Sequence, residues 1–447
     1  MDNRRFLDAR RWRFMWLPAL AALVLGYGAS ATAATLCVNP GGKSGCMATI
    51  GAAVAAAAPG DTIVIAPGTY KEDVMITKAI SLVGPQNGRA TIDATGMANG
   101  IFVDGMKAAP NVGVSNVLIS GLTVRNANFE GILLANAADV TLLNNHVVDN
   151  NRSLEIGDGV CPGIPAFETN EGDDCGEGIH LMGVAHSSIV DNEVDYNSGG
   201  ILISDETGRT HDNLISGNHV HDNPFDCGIT IASHGPATSV IPTATVSFGI
   251  VHTTVANNVS ERNGVELPGA GAGVGIFAPF PGTVAAHNVV IDNVIRNNGL
   301  PGVTMHNHAA APVPAPAVNL NGNMIVGNRI SGNAADTADA MTAGPTGINV
   351  YSMAPVWGTV ISQNVIDDEA IDVAFKAPKG QANVHLNNFS TRGIGVENLG
   401  TGSVDATDNW WHCPWGPGGK GACATASGPN VMTSPWLRSP FVSNGNY

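Results

Sequence analysis

One phrase recurs along this chain: a polar pair ending in Asn, a short apolar run, then a Gly followed by alternating apolar residues. The Asn stands at Asn145, Asn192, Asn218, Asn258, Asn293, Asn328, Asn364 and Asn388. Gly-led strands follow most of them, as in Gly178-Ile179-His180-Leu181, Gly200-Ile201-Leu202-Ile203, Gly228-Ile229-Thr230-Ile231, Gly302-Val303-Thr304-Met305 and Gly347-Ile348-Asn349-Val350. The shortest spacings are 24 and 26 residues and the others run from 35 to 47, as expected of one unit carrying insertions. A period in the twenties with period-2 strands and Asn/Gly turns specifies a solenoid of β-coils. A solenoid grows by adding coils to one core, so 447 residues need not mean several domains.

Composition agrees. Aromatics are 5% and charged residues 13% of the chain, with 55 Gly, which suits short strands and tight turns and makes the fold class all-β. Residues 1–33 read as a signal peptide. Arg4, Arg5, Arg10, Arg11 and Arg13 precede an apolar stretch at 14–27, and Ala31-Thr32-Ala33 offers a small-residue cleavage site. That stretch is short for a membrane span, so an exported protein, periplasmic or extracellular and not inserted in a membrane, is expected. Without residues 1–33, which hold five Arg and two Asp, 16 basic and 35 acidic residues remain, a net charge of −19. Such a surface excludes nucleic acid as a partner, because phosphate binding needs a Lys/Arg stripe. It also disfavours a polyanionic glycan unless bound Ca²⁺ or a local basic patch assists.

Cys37 and Cys46 flank a short loop near one end, and Cys413 and Cys423 flank another near the other end. Two local disulfides are expected there in an exported chain. Of Cys161, Cys175 and Cys227, a Cys161–Cys175 bridge is expected, with Cys175–Cys227 as its competitor. The thiol left over reads as buried and inert.

Residues 34–60 form an N-terminal cap containing a short helix at 49–58, with Thr49 as N-cap and Pro59-Gly60 as the stop. Coils run over 61–409, interrupted by insertions at 152–176, 235–248, 309–317 and 334–345. Residues 410–447 form a Trp-rich C-terminal cap with Trp410, Trp411, Trp415 and Trp436. The stretch from the Ala-rich helix through PGDTIVIAPGTYKEDVMI to KAISLVGPQNGRATIDA resembles the opening of right-handed parallel β-helix proteins of the pectin-lyase-like superfamily. The coils are also similar to NosD-type repeats. The resemblance implies a single-stranded right-handed parallel β-helix with an internal Asn ladder, capped by the helix at one end and by the disulfide-clipped tail at the other. It implies no single enzyme. The Asn-Thr-Asp, Asp-Asp, Gly-His-Gly and Arg-Ile-Lys set of polygalacturonases is missing from these strands, and of the Arg residues only Arg209 is near the polar cluster described next.

Counted from the leading Gly, positions +1 and +3 are apolar and point inward, so +2 and +4 are expected to face solvent. That register places His180 at +2, His306 at +4, Asp205 at +5, and Glu206, His234 and His308 at +6 of their coils. Glu177 and Asp226 lie just before the Gly. Adjacent coils are about 4.8 Å apart, which makes Glu206 and His234 neighbours. One face thus gathers Asp205, Glu206, Asp226 and His234 as candidate catalytic groups. Glu177, His180 and Arg209 are candidate substrate-binding groups, and His306 with His308 a candidate metal pair. Three readings stay open. Carboxylates one or two coils apart suit glycoside hydrolysis; His with carboxylate suits a divalent metal (Ca²⁺, Zn²⁺ or Cu²⁺); a polar ladder could bind nothing. The expected function is binding or cleaving a polysaccharide as a monomer, by hydrolysis or elimination. The alternative is a non-catalytic envelope or metal-handling protein.

Overall fold

The computed structural model describes residues 33–87, 89–106, 113–151, 176–235, 246–267, 269, 271–307, 318–389, 392–419 and 423–442. The signal peptide, the Cys161–Cys175 pair and His308 lie outside these residues. Residues Ala33–Tyr447 form one compact unit.

Among the described residues, strands stack in parallel into sheets of 14, 12 and 11 strands and a short sheet of three. Successive coils contribute strands in turn to the large sheets, so the chain winds as a parallel β-helix. Inward positions stack like on like: Ile132, Ile179, Ile201, Ile229, Val274, Val303, Ile348, Val373 and Val396 form one file of the 12-stranded sheet. All are fully buried in one continuous core. Coil stacking extends past the expected limits of 61–409. Thr35–Val38 already pairs with Thr62–Ile65, and Val431–Met432 still pairs with Ser403–Asp405.

The repeated Asn forms a ladder. The Oδ1 of each accepts the N–H and Nδ2–H of its counterpart one coil earlier, through Asn145, Asn192, Asn218, Asn258, Asn293, Asn328, Asn364, Asn387 and Asn409. The rung after Asn364 is Asn387. Asn388 instead bonds the Phe441 backbone in both directions. The residue before each rung turns the chain through left-handed φ. It is usually polar, as at Asn144, Asp191, Asn257, Asp292 and Asp408, but Gly217, Gly327 and Leu386 also fill the place. A second ladder runs through Asn150, Asn197, Asn223, Asn263, Asn298 and Asn333 and ends on Glu369.

The leading glycines serve this second ladder. A Cβ on Gly228 would lie 2.1 Å from Ser260 Oγ and 2.6 Å from Asn263 Nδ2, whereas one on Gly208 would meet nothing closer than 3.9 Å. Gly228→Ala is expected to cost about 2 kcal/mol through overpacking and Gly208→Ala almost nothing, read as urea unfolding midpoints.

The ends are closed as the sequence suggested. The helix Ile50–Ala56 starts at Thr49, whose side chain accepts the Ala52 N–H, and Glu72 takes the N–H groups of Ile50 and Gly51. Its buried face is Ile50, Ala53 and Val54. At the other end Trp411 is fully buried, edge-on to Phe389 at 5.0 Å, and Trp436 packs on the same core. Trp415 is exposed. Disulfides Cys37–Cys46 and Cys413–Cys423 clip the two ends. Cys227 is a free, buried thiol, and burial together with the Asp226 charge pushes it well above the usual thiol range, as befits an inert group.

One expectation fails. The outward file of the 12-stranded sheet reads Phe102, Leu133, His180, Leu202, Thr230, Gly275, Thr304 and Asn349, and all its side chains are buried rather than solvent-facing. The insertion at 334–345 shows why. Its Asp336 folds over this face, accepting from Asn349 Nδ2 at 2.8 Å and lying 3.9 Å from His306.

Candidate functional site

The strands Glu177–Met182, Gly199–Ser204 and Ile229–Ala232 are consecutive in the 12-stranded sheet. Their alternation turns Ile and Leu into the core and His180 and Ser204 out of it. The turns after the second and third strands carry Glu206 and His234. The result is a continuous file of ionisable groups. Glu130 Oε1 meets His180 Nδ1 at 2.9 Å, and His180 Nε2 meets Ser204 Oγ at 2.8 Å. Ser204 Oγ donates to Glu206 Oε2, and Glu206 Oε1 meets His234 Nδ1 at 2.5 Å. Each of these five residues is at most 3% exposed. Such a buried polar series is stable only because every link is paired.

Asp205 anchors the third strand's turn. Its Oδ1 accepts the His234 N–H at 2.7 Å, and its Oδ2 accepts from Ser247 Oγ, the Gly249 N–H and Ser233 Oγ. Burial pushes the Asp205 carboxyl up to about 6, against the pull of Ser247 and the two backbone N–H groups. Burial acts the same way on Glu206, but the His234 charge and hydrogen bond, with His180 and Ser204, hold it below the usual range. Two neighbouring carboxyls are thus driven apart in acidity by their surroundings.

Glu177 and Asp226 flank Gly199 from either side. A Cβ there would lie 3.1 Å from Glu177 Cγ and 3.2 Å from Asp226 Cβ, so the bare glycine lets the two acidic side chains approach. Arg209 is exposed on the turn after Glu206, and no described contact joins it to the file. His306 stands apart, with Thr304 Oγ1 at 3.2 Å, Asp339 at 3.5 Å, and the Phe277 and Tyr351 rings edge-on. Glu130, Glu177 and His180 bring donor atoms within 4.8 Å of one another, as do His306, Asp336 and Asp339; either trio is close enough to share a cation.

The sequence reading missed Glu130 and Ser204. Both carried a signal: Glu130 precedes Gly131 as Glu177 precedes Gly178, and Ser204 occupies the outward +4 position. Chemically, Glu206 accepting from His234 Nδ1–H leaves Nε2 as the nitrogen that takes up a proton. The file can therefore hold and move protons.

Residues 97–310 match the family model described as a right handed beta helix region. A mannuronic acid specific polysaccharide family 6 lyase from human gut microbiota is 12% identical over 90% of this chain and 82% of its own, with a TM-score of 0.51. An alginate lyase from Paenibacillus sp. str. FPU-7 is 17% identical over 74% of this chain and 94% of its own, with a TM-score of 0.49. At 12% identity the first of these likenesses is one of fold. No curated protein matches the chain.

Proposed function

We propose that this protein, a right-handed parallel β-helix with the pectin-lyase-like fold, binds and acts on a polysaccharide at the outer face of its 12-stranded sheet. The observation that carries this reading is the paired file Glu130–His180–Ser204–Glu206–His234, laid across successive coils on the side away from the core. In the proposed reaction His234 Nε2 transfers the proton, with Glu206 fixing its tautomer and stabilising the imidazolium. His180 and Glu130 extend the relay. Glu177 and Asp226 supply a carboxylate pair of the kind that glycoside hydrolysis uses. Asp205 keeps the His234 turn in place.

Support for a glycan comes from the length of the face and from the fold neighbour named for a polysaccharide. The net charge of −19 favours a neutral or weakly charged polymer over a polyanion. Disulfides at both ends suit an oxidising compartment, which fits export by residues 1–33 and work as a periplasmic or extracellular monomer. Because the file is buried, substrate entry requires the segments covering this face to open.

Purified mature protein would be tested against a panel of polysaccharides for new reducing ends and for the absorbance of unsaturated sugars. Turnover of at least one glycan is expected, falling 10²-fold or more in Glu206→Gln and in His234→Ala. Unchanged turnover in both variants would remove the site. No turnover and no glycan binding by the wild type would leave a non-catalytic envelope protein.

A further inference from the structure

The outer face of the 11-stranded sheet carries a separate set of ionisable side chains. Strands Glu193–Asp195 and His219–His221 lie side by side, with Glu193 opposite His219 and Asp195 opposite His221. In His219-Val220-His221 the period of two sends Val220 into the core and both imidazoles outward. Their rings sit 3.9 Å apart. Glu193, His219 and His221 each bring one donor atom within 4.8 Å of the others.

We propose that Glu193, His219 and His221 form a binding site for a divalent transition-metal ion of the zinc type. Two observations support it beyond proximity. The first is an unsatisfied group: His221 is 9% exposed, and its Nε2 is buried without a hydrogen-bond partner among the described residues. Glu193 Oε1 stands 3.7 Å from that nitrogen, too far for a hydrogen bond and near enough for an ion between them. A buried polar atom left so costs free energy unless something fills the gap.

The second is the surrounding shell. Asp222 Oδ2 holds His221 through Nδ1 at 2.7 Å, and Glu261 Oε1 holds His219 through Nε2 at 3.1 Å. Arg262 braces both carboxylates, bonding Asp222 through Nε and Nη2 and Glu261 through Nη1, while Arg296 Nε takes the other Glu261 oxygen. Carboxylates that orient ligand imidazoles, and are themselves fixed, are the usual support of a metal site. Two imidazoles and one carboxylate suit zinc-type ions. Ca²⁺ and Mg²⁺ prefer all-oxygen shells. Glu193 is about half exposed, so further positions on the ion stay open to water or to a ligand.

The site lies on a different sheet from the proton-transfer file, and the proposal does not depend on the polysaccharide reading. Chelator-treated mature protein would be titrated with ZnCl₂ by calorimetry, following ions bound per chain and affinity. Glu193→Gln, on a half-exposed side chain, and His221→Ala are each expected to remove one bound ion per chain or weaken it at least tenfold. Asp222→Asn is expected to weaken that ion 10- to 100-fold. His211→Ala, in another His cluster, should leave it in place. Circular dichroism and melting of the metal-free variants separate lost binding from lost fold. Zinc binding equal to wild type in both Glu193→Gln and His221→Ala overturns the proposal, as does a wild type that binds no zinc at 100-fold excess.

Discussion

Asn258→Ala is expected to destabilise the protein by about 4 kcal/mol. The side chain lies in mid-ladder and is 1% exposed. Its Oδ1 accepts the Asn218 N–H at 2.9 Å and Asn218 Nδ2 at 3.0 Å, and its Nδ2 donates to Ile215 O and Asn293 Oδ1. Alanine fills none of these roles, and each buried group left unpaired costs about 1–3 kcal/mol, partly offset by relaxation. Asn388 is the control. It has the same side chain but, among the described residues, bonds only the Phe441 backbone, so Asn388→Ala is expected to cost about 1 kcal/mol. Urea unfolding of the two variants measures the contrast. Equal losses would mean that the ladder is not what fixes the coil in place.

That pair also shows what the sequence can and cannot specify. The coil repeats the same physical demands on every turn, so fold and inward files were legible from the Asn and Gly spacing with its apolar alternation. The end caps were legible from the Ala-rich helix and the Trp-rich tail, and the terminal disulfides from the Cys spacing. Where Asn387 and Asn388 stand side by side, either satisfies the pattern, and only the hydrogen bonds choose the first. Glu369 was invisible as a rung because it replaces the residue type that defines the pattern. At the site, phase counting placed His180, Glu206 and His234 on one face correctly, since register follows from the period of two. It erred on exposure, because cover comes from segments such as 334–345 whose path no repeat dictates. It placed Asp205 on the same face by register, without access to the backbone N–H groups of His234 and Gly249 that occupy its oxygens.

Glu369→Gln is expected to stabilise the protein above neutral pH and to leave it nearly unchanged near pH 4.5. Glu369 ends the second ladder, where its Oε1 accepts both the N–H and Nδ2–H of Asn333 at 3.0 Å. Its Oε2 is buried with no partner among the described residues. Burial pushes the carboxyl up to about 7; the Asn333 bonds oppose this, and the charges of Asp368 and Asp367 reinforce it. An unfolded chain gives up this proton near 4.5, so between 4.5 and 7 the folded state holds a proton that the unfolded state has lost. Stability from this group is therefore complete below 4.5, falls as pH rises through 7, and is flat beyond, a total loss of about 3 kcal/mol. Gln keeps the acceptor for Asn333, carries no charge and sets an N–H₂ where the bare oxygen was. Asp205, pushed up to about 6 mainly by burial, loses most of its contribution below pH 6. His146, held above 6.5 chiefly by its Asp195 hydrogen bond, also loses stability as pH rises. It is therefore the difference between wild type and Glu369→Gln, about 1 kcal/mol from pH 6 to 8, that reports on Glu369. Unfolding midpoints at pH 5, 6, 7 and 8 should show a steeper decline in the wild type than in Glu369→Gln. Parallel curves would mean that the ladder ends on a carboxylate already ionised in the folded protein, and that the charge of the last rung is borne by the solvent.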